Sequence, residues 1–344
     1  MKEIKLAILG YGNAGRAFGK LLKNKEKEIK EKYKYKVKVV AITTKTRGNL
    51  LDNEGINYKK AAEDIEKKGS FDKNHKSYSN ISSMEVVEKI DYDVLIELTP
   101  LEIFTGKPAI DHIKGALNRR KHVITANKGP IAWAYRELKE LSEEKDSLFF
   151  YETTVMDGTP IFNFKDETLK LCQVTEIEGI LNTTTNFILE EMEKEKKYED
   201  IIKEGKKRGF VEAEPAMDVE GWDAAAKVTA LINVLMNGDI TPKDIDRKGI
   251  EDITYQDIKN ADKRGCVIKL LCRGKNEDGK ITGMVKPVEI KKGDLLASIK
   301  GTSSAVKIKT DLMGTISIVE HDPEIEQTAY GIFSDILRLI SKLN

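Results

Sequence analysis

Asp223 and Lys227 stand four positions apart in the stretch Asp218-Val-Glu-Gly221-Trp-Asp223-Ala-Ala-Ala-Lys227. Ala224–Ala226 and the apolar residues after them favour a helix, so the two charges stack on one face, a turn apart. Asp223 falls in the first turn, where the helix dipole favours a carboxylate. On an ordinary surface helix such a pair contributes only about 0.3–0.5 kcal/mol. Here Glu212 and Asp218 gather beside the same apolar helix (Val228, Ala230, Leu231, Val234, Leu235). Carboxylates at a buried helix start need partners. An ammonium held this way can hand a proton to an oxygen that gains charge in a reaction, and can take it back.

Two further segments carry polar groups suited to the same work. Ile124-Thr-Ala-Asn127-Lys128-Gly-Pro130 leaves the carboxyl end of an expected strand, where open α/β sheets place ligands. Gly179-Ile-Leu-Asn182-Thr183-Thr184-Thr185-Asn186-Phe187 runs from a strand into a helix. Its hydroxyls either cap that helix or, with the exposed N–H groups, grip a carboxylate.

At the start of the chain, Gly10-Tyr-Gly12-Asn13-Ala14-Gly15 follows an apolar strand and opens a helix. In this G-x-G-x-x-G the first glycine permits a tight turn and the second admits a pyrophosphate to the backbone N–H groups. The third lets helix and strand approach. The pattern predicts a bound dinucleotide. A site for NAD usually ends its second strand on an acid; this one ends Thr43-Thr44-Lys45-Thr46-Arg47. Hydroxyls and cations at Thr44, Lys45 and Arg47 suit a 2′-phosphate, so NADP is preferred to NAD.

The elements that must position these residues alternate strand, helix, strand: Ile4–Leu9, a helix Ala14–Leu22, Val37–Thr44, Val94–Leu98, a helix Ala109–Asn118, and His122–Thr125. The charged run Lys23–Lys36 reads as an exposed helix end and a loop. Such alternation implies right-handed crossovers and a doubly wound, Rossmann-like parallel sheet. Beyond about residue 148 the pattern becomes α+β, with strands Phe149–Thr154, Glu176–Leu181, Gly283–Glu289, Lys307–Leu312 and Gly314–Val319 around helices Asn186–Lys196 and Trp222–Met236. The expected division is a dinucleotide-binding domain over 1–137 and a substrate-binding, catalytic and dimerisation domain over 138–319. A final amphipathic helix within 320–344 would pack back on the first of them.

Composition narrows the class. Of 344 residues, 58 are Lys or Arg and 57 Asp or Glu, a net charge of +1, so no global field favours nucleic acid. No apolar run approaches the roughly 20 residues that span a bilayer, and the N-terminus lacks a signal-peptide pattern. Cys172, Cys266 and Cys272 are too scattered for a disulfide framework and read as buried thiols in a reducing cytoplasm.

Together these motifs resemble the homoserine dehydrogenases. GYGNAG, Glu97-Leu-Thr-Pro100, Thr125–Pro130, Gly179–Phe187 and Asp218–Lys227 follow in order along nearly the whole chain. The resemblance implies NAD(P)-dependent interconversion of L-homoserine and L-aspartate 4-semialdehyde, in threonine and methionine biosynthesis, by a cytoplasmic homodimer. It also implies a monofunctional short form without a C-terminal regulatory domain. By position, Lys227 and Asp223 are similar to the catalytic pair and Lys128 to a substrate-side lysine. Glu212, Asp218, Thr184 and Thr183 match substrate-binding positions, while Thr99, Pro100 and Lys128 join Gly10, Gly12, Asn13, Ala14 and Gly15 around the cofactor. Glu152 with the carbonyls of Val155, Asp157 and Thr159 looks like the family's site for a monovalent cation, Na+.

Three departures from the family pattern stand out. Thr183 replaces a frequent Gly, Phe210 a Tyr of some members, and the acidic stretch Glu320–Tyr330 a glycine-rich turn. Acids there are expected to crowd the cofactor. The competing readings are another small-substrate NAD(P) oxidoreductase and a catalytically weak NADP-binding sensor.

Overall fold

The run Lys2–Leu9 is strand β1, its inner residues Leu6–Leu9 fully buried, because helices cover both faces of the sheet it joins. In the computed structural model, which describes residues 1–196, 198–208, 211 and 215–344, β1 leads into helix α1 (Asn13–Glu28) and β2 (Tyr35–Thr43). Then come β3 (Asn49–Leu51), α2 (Tyr58–Lys68), β4 (Tyr78–Ser79), α3 (Ser83–Lys89), β5 (Val94–Glu97), α4 (Ala109–Asn118), β6 (His122–Thr125), α5 (Lys128–Glu144) and β7 (Phe149–Phe150). The seven strands order as β4-β3-β2-β1-β5-β6-β7. Across the sheet from β2 to β7 the pairing is parallel; β3 and then β4, at the edge, add two short antiparallel strands beside β2. β1 therefore lies between β2 and β5, where the strand order reverses, the place at which such sheets bind ligands.

A second unit holds α6 (Ile161–Thr168), β8 (Val174–Ile180), α7 (Thr183–Met192), α8 (Tyr198–Arg208), α9 (Ala216–Val219), α10 (Trp222–Leu235), β9 (Ile245–Arg247), α11 (Tyr255–Lys263), β10 (Cys266–Glu277), β11 (Lys280–Lys291), β12 (Ser304–Thr310) and β13 (Thr315–Glu320). Its sheet runs β13-β12-β8-β10-β11-β9, antiparallel except for β9 beside β11. The chain ends in α12 (Ile325–Lys342), which packs on α1. Met1–Pro160 with Glu324–Asn344 form one unit and Ile161–Pro323 the other. The boundary expected at 137 falls inside α5, and the division comes after Pro160.

Several expectations need correction. The run Lys23–Lys36 is not an exposed helix end and loop: α1 continues to Glu28, a wider helical turn carries on through Tyr33, and Ile29 is buried in the core. Phe149–Thr154 is a strand only over its first two residues, after which Glu152–Thr154 coil into a short 3-10 turn. The first strong helix of the second unit starts at Thr183, not Asn186, because the Asn182 side chain accepts from Thr185 N–H and caps it there. β10, twelve residues long, carries no strand in the sequence reading. Its middle is buried on both sides, so no polar–apolar alternation marks it, and Lys269 interrupts the apolar run. Only Cys272 among the cysteines is buried; Cys172 and Cys266 are partly exposed.

Candidate active site

Gly10 takes φ +91, and a Cβ there would lie 2.3 Å from Leu98 O at the end of β5. A Cβ on Gly15 would come within 2.9 Å of Gly10 O, so this glycine lets α1 approach the turn. Gly12, the N-cap of α1, has no side-chain cap, and nothing lies within 4 Å of where its Cβ would be. The first amides of α1 are thus open, and the bare cradle fits a nucleotide pyrophosphate. Asn13 is exposed and accepts a 2.8 Å hydrogen bond from Arg16 Nη2; Ala14 is half-buried.

At the end of β2 the hydroxyl of Thr44 is used within its own turn: it donates to Gly48 O at 2.8 Å and accepts from Arg47 N–H at 2.8 Å. Lys45 is exposed and Arg47 half-buried. The ends of β5 and β6 are tied together by a network that sequence reasoning missed. Glu97, fully buried, accepts from Thr99 through both its N–H and its hydroxyl. Asn127 caps α5 by accepting from Gly129 N–H at 3.0 Å and donates to Thr99 O at 3.0 Å. Lys128, the first residue of α5, and the Thr99-Pro100 turn are therefore held by one asparagine. Farther along, Glu152 is 2 % exposed, its N–H donating to Asp335 Oδ2. Met156 and Asp157 both adopt left-handed backbone, and Asp157 accepts from Thr328. Val155 is buried and Thr159 half-buried.

In the second unit the structure brings together Asn182, Thr184, Asp218, Asp223 and Lys227. The Lys227 ammonium lies 3.2 Å from Asp223 and donates to Leu181 O at 2.7 Å. Asn182 donates to Asp218 at 2.6 Å and to Asp223 at 2.9 Å, and Thr184 Oγ1 donates to the other oxygen of Asp218 at 2.9 Å. Two carboxylates, an ammonium, an amide and a hydroxyl thus form one connected set at the start of α7 and α10. Thr183 is apart from this set; its hydroxyl donates to Thr302 O at 3.5 Å. Glu212 and Phe210 lie outside the described residues.

Asn182 bridges both acids, yet the sequence reading left it as a bystander of the threonines. Its signal was present: an asparagine directly before a helical run is a strong N-cap. Arg247 left no comparable signal. Its guanidinium lies 3.9 Å from the centre of the Trp222 ring and donates to Glu220 O, fixing the turn between Asp218 and Asp223. Beneath α10, burial pushes the Cys272 thiol up to about 12, so it remains protonated and inert beside Ala224 O.

Family models for "Homoserine dehydrogenase" and "Homoserine dehydrogenase, NAD binding domain" match residues 160–337 and 10–152. A homoserine dehydrogenase of Methanocaldococcus jannaschii is 38 % identical over 97 % of this chain and 98 % of its own. The chain belongs to the homoserine dehydrogenase family. It is similar to an NAD(+)-dependent homoserine dehydrogenase of Pseudomonas canavaninivorans, 32 % identical over 98 % of this chain and 97 % of that one. It also resembles the crystal structure of a putative homoserine dehydrogenase of Archaeoglobus fulgidus, with a TM-score of 0.86, 32 % identity and coverage of 98 % and 99 %. The chain is accordingly an oxidoreductase that interconverts L-homoserine and L-aspartate 4-semialdehyde on a nicotinamide dinucleotide.

In the stretch Glu320–Tyr330, whose acids are expected to crowd the cofactor, Glu326 lines a cavity together with Asn13 and Arg16 of α1. Glu320 ends β13 and is buried, while Glu324 is the N-cap of α12 and joins Gln327 in a reciprocal capping box. Among the described residues, no helix is long and apolar enough to cross a membrane.

Proposed function

We propose that Lys227 is the proton donor and acceptor of the reaction and that Asp223 orients it. The carrying observation is the position of the ammonium, fixed from two sides by Asp223 and by Leu181 O. When bound, the nicotinamide supplies or accepts the hydride at the substrate carbon. As the aldehyde oxygen gains negative charge, Lys227 Nζ gives it a proton; in the reverse direction Lys227 takes the hydroxyl proton. The Asp223 carboxylate limits the ways the ammonium can turn and offsets the charge it regains.

Asp218 suits the α-ammonium of homoserine, with Glu212 assigned to the same task by family position. Thr184, Thr183 and the first amides of α7 suit the α-carboxylate. Lys128 is assigned as a second cationic group on the substrate side. Gly10, Gly12, Asn13, Ala14, Gly15, Thr99 and Pro100 bind the dinucleotide, and Thr44, Lys45 and Arg47 favour NADP. The exposed Lys45 and half-buried Arg47 support that preference, whereas Thr44 serves by shaping the turn. An NAD(+)-dependent relative makes NAD the second reading.

A monovalent cation, Na+, is assigned to the buried Glu152 with the carbonyls of Val155, Asp157 and Thr159, oxygen donors suited to a hard ion. A homodimer, a cytoplasmic location and a role in threonine and methionine biosynthesis complete the reading on the strength of the family. The test is NADPH consumption on adding aspartate semialdehyde, with Lys227→Ala beside the wild type. Loss of about 10²–10⁴-fold in kcat is expected, the usual worth of a positioned proton donor. Near-full turnover of the variant removes Lys227 from the mechanism.

A further inference from the structure

Lys269 lies in the middle of β10 and is 3 % exposed. A buried ammonium is costly unless its donors are satisfied. Here Nζ donates to Asn186 Oδ1 at 2.6 Å and to Ile299 O at 2.6 Å. Burial holds its pKa below the ordinary lysine value, while the fields of Glu190 and Glu193 act the other way. Neither acceptor is a carboxylate, so ion pairing at close range does not explain the residue.

Both acceptors belong to one junction. Asn186 Nδ2 donates to Gly301 O at 3.1 Å, Gly301 N–H donates to Glu190 at 2.9 Å, and Thr183 Oγ1 donates to Thr302 O at 3.5 Å. Residues 299–302 are thus stitched to the first two turns of α7, with the lysine at the centre. The same helix start presents Asn182 and Thr184 to Asp218. Asn186 N–H closes on Asn182 O at 3.1 Å, so the lysine's partner is one helical turn from the cap.

We infer that Lys269 is a positioning residue for homoserine: its ammonium locks the 299–302 segment onto α7 and so holds the helix start that grips the substrate. The inference rests on the assignment of Thr184 and the α7 amides to the substrate carboxylate. A lysine that served stability alone would, when replaced, lower the active fraction and leave Michaelis constants unchanged.

The experiment measures kcat, KM for homoserine, KM for the dinucleotide and Tm for Lys269→Met, Lys269→Arg and Thr184→Ala. Lys269→Met is expected to raise the homoserine KM about tenfold with the dinucleotide KM within about twofold, and Lys269→Arg to recover part of the loss. A homoserine KM within about twofold of wild type in Lys269→Met, while Thr184→Ala raises it, overturns the inference alone. If neither variant moves it, the substrate assignment itself fails. Should Lys269→Met not fold, Asn186→Ala removes the acceptor instead and is judged by the same two constants.

Discussion

The two halves of the chemistry are built from different material. Around Gly10 the protein removes side chains: a Cβ at Gly10 would strike Leu98 O, and the space over Gly12 is left bare. Around Lys227 it accumulates them, drawing Asn182, Thr184, Asp218 and Asp223 from segments some forty residues apart into one hydrogen-bonded set. On the proposed function, the first region would bind through backbone that every nucleotide meets alike, and the second would discriminate through groups whose charges and directions suit one amino-acid substrate. A backbone site fails by obstruction, and a side-chain site fails by loss of one member.

That contrast can be broken at several points. Lys227→Ala carries the largest effect, and the difference in material requires its loss to fall on kcat while the dissociation constant for NADPH, followed by nucleotide fluorescence, stays within about twofold. A shift of both together would mean that the two regions do not work separately. Next, Gly10→Ala and Gly12→Ala should part company. The first forces φ +91 and a clash on alanine and should cost about 2 kcal/mol or more in urea unfolding. The second should leave unfolding nearly unchanged and raise the dinucleotide KM about tenfold, since one methyl displaces the phosphate from the amides.

Arg47→Ala sharpens the specificity side: the KM for NADP should rise by up to about tenfold, the worth of one charge-assisted contact, with that for NAD unmoved. Equal changes would assign Arg47 to the loop rather than to the nucleotide. The smallest effect concerns His122, whose Nδ1 accepts from Leu148 N–H and whose pKa burial lowers below the usual 6.5. The unfolded chain then binds this proton more readily, so folding loses stability as pH falls from 6.5 through the lowered value. Thermal melts from pH 7.5 down to 5 should show a shallower decline for His122→Asn than for wild type, and parallel curves would refute it.

Legibility in the sequence followed the same contrast. Gly10–Gly15 could be read directly because backbone demands appear as a fixed string after a strand. Asp223 and Lys227 could be read because helical geometry converts a spacing of four into contact. Asn182 could be read as a helix cap but not as the bridge between two acids, and Arg247 not at all, since their partners lie far off along the chain and no local period connects them. β10 was hidden by the lysine in its centre, which breaks the apolar run and is itself buried, its ammonium held by Asn186 and Ile299. Thr44 was assigned to a ligand from its type alone, whereas the turn it closes takes up its hydroxyl.

Helix α12 fills the first unit's core with Ile332, Phe333, Ile336, Leu339 and Ile340, beside Phe18 and Leu22 of α1. More than 160 residues of another unit intervene in the chain before it arrives. During synthesis on the ribosome, the nucleotide-binding half is therefore begun first and finished last. Until those final turns emerge, α1 presents an uncovered greasy stripe, and the later-made half is the one able to complete itself first.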